Sequence, residues 1–272
     1  LHTPSDGRAE PTKATNALAK AAVRKGAIIK ENCAVFGIET QAGVVTGVVT
    51  ELGFIKTGSV LCAAGTWSSL FCARHKIFLP QLKVRSSVFR TSPAPLISEH
   101  SIWSRDVALR RRQDGGYTVA HGSATEVPIA PDTIRWARKY LAAYKTERSR
   151  LRLRLDGHFF KEMMTPRRWN NTGPTPFEQE RVYRVEPSQK ILGEAEANLK
   201  RLFPQLKDVS VVESWAGLID VTPDAVPVIS PVHKLPGFFL ATGFSGHGFG
   251  IGPGAGELAA KMLTGTVESD EL

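Results

Sequence analysis

The twelve residues from Gly243 to Gly254 read GFSGHGFGIGPG, and six of them are glycine. A strand-like run, residues 237–242, leads into this stretch, and a helix-like run, residues 255–263, follows it. A tight strand-to-helix turn needs only one or two glycines, so six predict that a ligand approaches the main chain closely. We expect backbone N–H groups and the N-terminus of the helix from Ala255 to face an anionic or electron-rich part of a cofactor.

Two other interpretations of the glycine-rich stretch fail on position. Residues 250–255 fit the dinucleotide fingerprint G-x-G-x-x-A, but that motif opens a βαβ unit of about 30 residues. Only 17 residues follow Ala255. A hydrolase nucleophile elbow, G-x-S-x-G, would place its nucleophile at Ser245. However, His247 occupies the last position of that motif, and no later histidine completes a triad.

The composition indicates a folded protein with reduced thiols. Hydrophobic residues make up 42% of the 272 residues, which is enough for one large domain or two intertwined ones. The cysteines Cys33, Cys62 and Cys72 form no CxxC pair, so we expect neither disulfides nor a metal site, and Cys62 should be a small buried side chain. No apolar run approaches the ~18 residues of a membrane span, and no signal peptide is recognisable, so we expect a cytoplasmic location. The chain starts at Leu1 rather than methionine, and we expect further sequence upstream.

The formal net charge of +9 comes largely from basic runs at residues 110–112, 148–154 and 167–168. No helix-turn-helix, zinc-finger or RNP motif accompanies them, so no nucleic-acid partner is expected. We interpret the runs as solvated surface or as a face toward an acidic partner subunit. A basic nucleic-acid-binding module is the alternative, and it predicts salt-sensitive retention of DNA or RNA.

Three regions of the chain, residues 1–73, 74–210 and 211–272, differ in their secondary-structure pattern. The first and third have α/β character, whereas the middle one combines alternating, antiparallel-type strands with two helices. The predicted strands are residues 27–32, 34–39, 44–51, 56–65, 82–90, 116–121 and 237–242, and the predicted helices are residues 11–25, 131–150, 188–203 and 255–263. We expect the chain to leave one domain near residue 74 and to re-enter it near residue 211.

Five blocks of sequence carry a resemblance to the D-amino-acid oxidase family, which includes glycine oxidase and sarcosine oxidase. They are DGRAEP at residues 6–11 with the alanine-rich helix after it, GAIIKENCAV at residues 26–35, VLCAAGTWS at residues 60–68, WAGLIDVTPDAVPVI at residues 215–229, and the glycine-rich stretch. Each block alone is weak, but the ordered set is specific and spans nearly the whole chain. Residues 80–205 are the least diagnostic part.

The resemblance implies an α/β FAD-binding domain, an incomplete Rossmann-like unit formed by residues 1–73 and 211–272. An α+β substrate domain with an antiparallel sheet, residues 74–210, is inserted into it. The family opens with a βαβ unit carrying G-x-G-x-x-G, which holds the FAD pyrophosphate. Nothing in this chain matches that motif, so the chain resembles the C-terminal two-thirds of such an enzyme.

The resemblance also implies that FAD is the cofactor and is held non-covalently. Some sarcosine oxidases have a flavin-linked cysteine where this chain has Gly217, and a lysine where it has Gly250. Glycine oxidase has an arginine for the substrate carboxylate near the position of Ile219, and this chain lacks it. The residues implied to bind the cofactor are Val35, Ala64, Gly65, Trp67, Gly217, Gly243, Ser245, Gly246, His247, Gly248, Phe249 and Gly250.

The implied reaction oxidises a C–N bond in a small amine or amino acid, by hydride transfer to flavin N5, and gives an imine. N–H groups near Gly248 and Gly250, with the helix dipole, would stabilise negative charge on the reduced flavin. His247 is the candidate catalytic residue, with a hydrogen-bonding scaffold as its alternative role. A non-catalytic or regulatory subunit that keeps the fold is the alternative function. The electron acceptor and a partner subunit are left open.

The sequence predicts less specific roles for five other side chains. Trp67 is expected to pack near the flavin or its ribityl chain, or else to belong to the core. Asp224, in a Thr-Pro-Asp turn, is expected to be a turn residue rather than a base. Tyr117, Tyr183 and His158 are further candidates for the pocket lining, and the sequence does not select among them.

Overall fold

The computed structural model describes residues 3–5, 7–171 and 174–267, so Asp6 of the first sequence block lies outside it. The strands are β1 Val35–Gln41, β2 Val44–Thr50, β3 Gly53–Lys56, β4 Val60–Cys62, β5 Leu82–Thr91, β6 Ile102–Trp103, β7 Ala108–Arg111, β8 Tyr117–Ala120, β9 Thr125–Pro128, β10 Leu151–Arg154, β11 Val211–Val221, β12 Val228–Pro231 and β13 Phe238–Thr242. The helices are α1 Pro11–Arg24, α2 Ser68–Arg74, α3 Pro131–Glu147, α4 His158–Met164, α5 Pro176–Gln179, α6 Gln189–Leu202 and α7 Gly248–Thr264.

Two small sheets lie around one apolar core. Strands β1, β2 and β3 form an antiparallel meander, while β12, β13 and β4 form a mixed sheet in which β13 runs parallel to β4. The core between them includes Ile38, Val45, Cys62, Phe71 and Phe238. Cys62 is therefore a small buried side chain, as predicted. Since parallel strands end at the same edge of a sheet, the segments after β4 and after β13 emerge side by side.

A seven-stranded sheet in the order β10-β9-β5-β8-β7-β6 holds the second core, and β11 joins it by pairing with β5. Helix α6 covers one of its faces, where Leu192 and Leu199 pack on Phe89 and Tyr117. Tyr117 is 1% exposed, so it belongs to this core rather than to a pocket.

The pairing of β11 with β5 bears on the predicted domain boundaries. It extends from Val211↔Thr91 to Val221↔Leu82, so one sheet contains residues on both sides of position 211. The mixed α/β character is confirmed. The division into residues 1–73, 74–210 and 211–272 stays a prediction.

Most predicted elements form, although some have other limits than expected, and one predicted strand is absent. Helices α1, α3 and α6 fall within their predicted ranges, with prolines at the starts of α1 and α3 and Pro204 directly after the end of α6. The predicted strand at residues 27–32 is wrong, because this segment has no strand structure. Ile28 is 81% exposed and Ile29 is 50% exposed, so no neighbouring strand among the described residues covers them.

Candidate functional site

The first four residues of the glycine-rich stretch form a turn that requires glycine. Gly243, Ser245 and Gly246 have φ angles of 75°, 52° and 92°. A Cβ atom at Gly243 would lie 2.4 Å from Cγ2 of Thr222, so the backbone conformation and the available space both exclude a side chain there. This turn completes the reversal of the chain between β13 and the helix.

The helix after this turn begins earlier than the sequence predicts. Helix α7 starts at Gly248, with His247 at its N-cap, rather than at Ala255. The chain turns at residues 243–246, before the helix begins. The glycines that follow adopt helical geometry, although glycine is a poor helix former. Gly248, Phe249 and Gly250 therefore lie in the first turn of a helix. The Gly250 N–H donates to the His247 carbonyl at 3.2 Å, whereas the N–H groups of Gly248 and Phe249 have no partner among the described residues.

A buried polar network anchors the turn. The carboxylate of Asp220, on β11, accepts hydrogen bonds from the Gly243 N–H at 2.6 Å, the Thr242 hydroxyl at 2.9 Å and the Gln81 side-chain amide at 3.0 Å. Gln81 in turn accepts a bond from the Ser69 N–H, at the start of α2. One carboxylate thus ties the glycine turn to β11 and, through Gln81, to α2.

The sequence did not point to Asp220 or Gln81. Asp220 lies 23 residues before Gly243, and Gln81 lies 139 residues before Asp220. Pro80-Gln81 belongs to no recognisable motif. Asp220 lies inside one of the five resemblance blocks, and its position two residues before Thr222-Pro223 was the one available signal.

A cavity of about 930 Å³ is lined by other residues of the chain, including Ala64 and Trp67 on either side of Gly65 and Thr66. Residues 30–35 and 59–64 form much of its wall, with Trp67 and Phe71 at one side and residues 180–182 at another. Three of the residues predicted to bind the cofactor, Val35, Ala64 and Trp67, line it. The volume lies near the upper end of the ~300–1,000 Å³ found for small-molecule and cofactor sites.

An ion pair closes one side of this cavity. Arg181 donates to the carboxylate of Glu51, which also accepts the Ala34 N–H at 2.7 Å. The Arg181 guanidinium, followed by the bond from Ala34, lowers the pKa of Glu51 to about 2. The pair holds the segment around residue 181 against the end of the loop that precedes β1.

The other predicted cofactor residues lie outside the lining of this cavity. Gly65 lies close to the glycine turn, because its carbonyl oxygen is 3.3 Å from the Thr242 hydroxyl oxygen, whose single proton it would share with Asp220. Gly217 lies on β11 opposite Ser86, and a Cβ atom there would meet nothing within 4 Å. The remaining residues, Gly243, Ser245, Gly246, His247, Gly248, Phe249 and Gly250, belong to the turn and the first turn of α7.

Part of the turn lies over one face of β11. Alternation along this strand puts Gly217 and Ile219 on the same face, and a Cβ atom at Gly246 would lie 4.0 Å from Ile219 Cδ1. Gly217 and Gly246 are both exposed. The glycine turn and β11 therefore share an open apolar surface with no charged side chain at position 219.

His247 is exposed at the helix N-terminus. Its backbone N–H donates to the Phe244 carbonyl at 2.9 Å, and no described residue forms a hydrogen bond with its imidazole. Asp224, in contrast, accepts the Val226 N–H at 3.1 Å beside Ala225, whose φ is 60°. The prediction that Asp224 is a turn residue is confirmed.

Trp67 separates the large cavity from a smaller one of about 260 Å³. Its ring stacks on Tyr183 with centroids 4.4 Å apart, and Tyr183 and His158 line the smaller cavity. Burial raises the pKa of the Cys62 thiol, and the large cavity therefore contains an unreactive cysteine at that position.

This geometry defines an α/β protein with a glycine-rich strand-to-helix turn next to an open face of β11, and with a large cavity lined mainly by residues 30–35 and 59–64. The profile of the family described as "DAO: FAD dependent oxidoreductase" matches residues 1–262. The chain belongs to this family of FAD-dependent oxidoreductases.

Individual relatives support the same conclusion. Mitochondrial sarcosine dehydrogenase of Mus musculus is 26% identical over 99% of this chain and 26% of its own length. D-amino acid dehydrogenase of Bradyrhizobium diazoefficiens is 25% identical over 97% of this chain and 50% of its own length. The chain thus spans a quarter to a half of the curated relatives it matches.

Solved structures match the fold closely. L-amino acid deaminase from Proteus vulgaris superposes with a TM-score of 0.88 at 30% identity, over 94% of this chain and 59% of that one. The enzyme from Proteus myxofaciens, in complex with anthranilate, gives 0.89 at 31% identity, over 94% of this chain and 57% of that one. Among the described residues, no helix combines the length and apolar character needed to cross a bilayer, and no group of three or more potential metal ligands occurs.

Proposed function

We propose that this chain is the part of an FAD-dependent oxidoreductase that binds the redox end of FAD non-covalently and oxidises a C–N bond of an amine or amino acid. The observation that carries the proposal is the Asp220 network. It joins the end of β13 and the glycine turn to β11 and to α2. The Thr242 hydroxyl also lies 3.3 Å from the carbonyl oxygen of Gly65, the residue after Ala64 of the cavity lining. The same segments, residues 60–68, 215–229 and 243–254, carry the family resemblance.

The residues present fit a flavin nucleotide. The cavity is large and includes the small side chains of Ala63 and Ala64. Cβ atoms at Gly250, Gly252 and Gly254 would meet nothing within 4 Å, so a planar ring can approach this main chain. At the N-terminus of α7, the N–H groups of Gly248 and Phe249 and a partial positive charge face outward from the helix and suit the electron-rich edge of such a ring.

When bound, FAD would supply the hydride acceptor for oxidation of the C–N bond to an imine, which water hydrolyses. The protein's contribution is binding and position. Gly217 has no thiol for a covalent link, and the apolar side chain of Ile219 offers no cation to a substrate carboxylate. His247 is placed at the exposed end of α7, where its imidazole is free to contact the flavin or the substrate.

Titration with FAD tests the first half of the proposal. We expect the protein to quench FAD fluorescence with saturation. Gly248→Val should weaken that binding at least about tenfold, because a Cβ atom at Gly248 already lies 3.0 Å from Cβ of Phe244 and larger groups must project toward the ligand. Absence of quenching at 100-fold excess of FAD, or unchanged binding by the folded Gly248→Val variant, counts against the placement of the flavin.

Anaerobic reduction tests the second half. A panel of amines and amino acids, including sarcosine and D- and L-alanine, is added to the flavin-loaded protein, and bleaching of the flavin absorbance is recorded. Bleaching by a member of the panel supports the oxidoreductase. FAD binding with no bleaching across the panel favours the alternative of a non-catalytic or regulatory unit. A cytoplasmic location stays a prediction, and the electron acceptor and a partner subunit stay open.

A further inference from the structure

The smaller cavity, of about 260 Å³, is lined by an unusual proportion of charged side chains. It lies beyond Trp67, which it shares with the large cavity together with Glu180. Three ion pairs contribute to its wall: Lys83 with Glu162, Lys161 with Glu180, and Arg167 with Asp132. The three pairs contain three positive and three negative side chains, so together they carry no net formal charge.

Lys83 is the innermost cation of this cavity. Its ammonium group donates to the Glu162 carboxylate at 2.7 Å and to the Tyr183 hydroxyl at 3.0 Å. Burial alone lowers the pKa of Lys83, but Tyr183 and Glu162 outweigh it and raise that pKa, so the group stays charged at neutral pH. An ammonium group has three N–H donors, and described residues use two of them.

Glu180 occupies the other end of the charged wall. Its carboxylate accepts one bond, from Lys161, among the described residues, and it lines both cavities. An ionised carboxylate has about four acceptor positions. The wall therefore combines an unused donor on Lys83 with unused acceptors on Glu180.

Because the charged side chains in the wall of this cavity balance one another, the wall disfavours ligands that carry a single net charge. A lone anion or a lone cation would leave one charge without a counter-charge beside the part-buried pair of Lys83 and Glu162, which is less favourable than a balanced set of charges. A zwitterion adds one charge of each sign and leaves the balance unchanged. The volume is below that of drug-sized sites, which limits the ligand to a small molecule.

We propose that this cavity binds a small zwitterionic α-amino acid, with its carboxylate toward Lys83 and Tyr183 and its ammonium group toward Glu180. The inference rests on the proposed function and names its substrate class. Because Trp67 and Glu180 line both cavities, this position is an entry site from which the amino group faces the large cavity. Trp67, stacked on Tyr183, forms the partition between the two.

Equilibrium dialysis without flavin tests the entry site. The probes are L- and D-alanine as zwitterions, alaninamide as the cation and lactate as the anion. We expect at least one alanine isomer to bind, and alaninamide and lactate to bind at least about tenfold more weakly. Failure of both alanine isomers to bind, or equal binding of the singly charged probes, overturns the proposal.

A matched pair of double variants locates the binding. Lys83→Met with Glu162→Gln removes both charges together, so it leaves no unpaired charge behind. Lys200→Met with Glu196→Gln removes the exposed pair of α6, which has the same 2.7 Å separation. The first should lose alanine binding at least about tenfold and the second should keep it. Equal affinities in the two variants, each checked for a cooperative thermal transition, overturn the assignment.

The flavin placement and the amino-acid site are tested by different measurements. If FAD is bound but alanine is not, the entry site is wrong and the flavoprotein assignment stands. If alanine is bound with the expected dependence on Lys83 but FAD is not, the flavin placement is wrong and the amino-acid site stands. Chemical-shift changes at the Trp67 and Tyr183 rings on addition of alanine provide a second readout that a merely structural ion pair would not show.

Discussion

The two halves of the glycine-rich stretch contain the same residue for different reasons. In the first half, Gly243 and Gly246 have positive φ angles, and Gly243 is pressed against Thr222. In the second half, glycines from Gly250 onward lie in a helix with open space where a Cβ atom would be. The first half needs glycine for the fold. The second half does not, so its glycines keep a surface bare, and changes in the two halves should have opposite effects.

The largest effect is expected at the anchor of the first half. Asp220→Ala removes the acceptor of three hydrogen bonds and leaves donors of Gly243, Thr242 and Gln81 without it. We expect a loss of about 4 kcal/mol in the free energy of unfolding, measured by urea denaturation. Asp224→Ala is the control, because Asp224 is exposed and accepts one bond, and it should cost less than about 1 kcal/mol. Equal costs for the two would show that the network does not hold the turn.

The next effect is expected at the turn itself. Gly243→Ala places a Cβ atom 2.4 Å from Thr222 in a backbone conformation with φ of 75°. Left-handed strain and overpacking together should cost about 3 kcal/mol. Combining the change with Thr222→Ser removes the clashing methyl group but not the strain, so about half of the loss should return. A loss below about 1 kcal/mol in the single variant would mean that the turn differs from this conformation.

A pH effect should arise at His75, which directly follows helix α2 and contacts strand β1. Burial, aided by Arg74, lowers the pKa of His75 from its ordinary value of 6.5 to about 4, and its neutral Nε2 accepts the Ile38 N–H at 3.3 Å. The unfolded chain therefore takes up a proton before the folded one does. Stability from this group is complete above pH 6.5 and is lost as the pH falls toward 4, by about 2 kcal/mol after allowance for partial exposure.

Unfolding curves recorded between pH 7.5 and 4 measure this loss. His75→Gln retains a neutral acceptor that does not titrate, so its stability should fall less steeply over the same interval. A slope equal to that of the unchanged protein would assign the pH dependence to other groups.

The comparison also shows which parts of the structure the sequence can predict. Helices α3 and α6 are recognisable from apolar periodicity and from prolines at their boundaries, and β5 and β8 from alternation. These features are local, and they appear where expected.

The rest depends on contacts between distant residues. The Asp220–Gln81 pair joins positions 139 residues apart, and no spacing rule connects them. The start of α7 at Gly248 contradicts the intrinsic preference of glycine, because tertiary placement after the turn decides it. Residues 27–32 have a strand-like composition, yet no described strand pairs with them. The resemblance implied that Val35, Ala64 and Trp67 bind the cofactor, and these three residues line the large cavity. No sequence motif marked Lys83 or the smaller cavity.

The smallest expected change in stability is also the one that best distinguishes the two halves of the glycine-rich stretch. Gly250→Ala adds a methyl group in open space within α7, and replacing helical glycine with alanine should raise stability by about 0.5–1 kcal/mol. If the bare helix surface receives the flavin ring, the same methyl group should lower FAD affinity while the thermal unfolding temperature rises. Stability and cofactor affinity then change in opposite directions. A gain in stability with unchanged FAD affinity would mean that the flavin does not contact this turn of α7, and the glycines after position 248 would need another explanation.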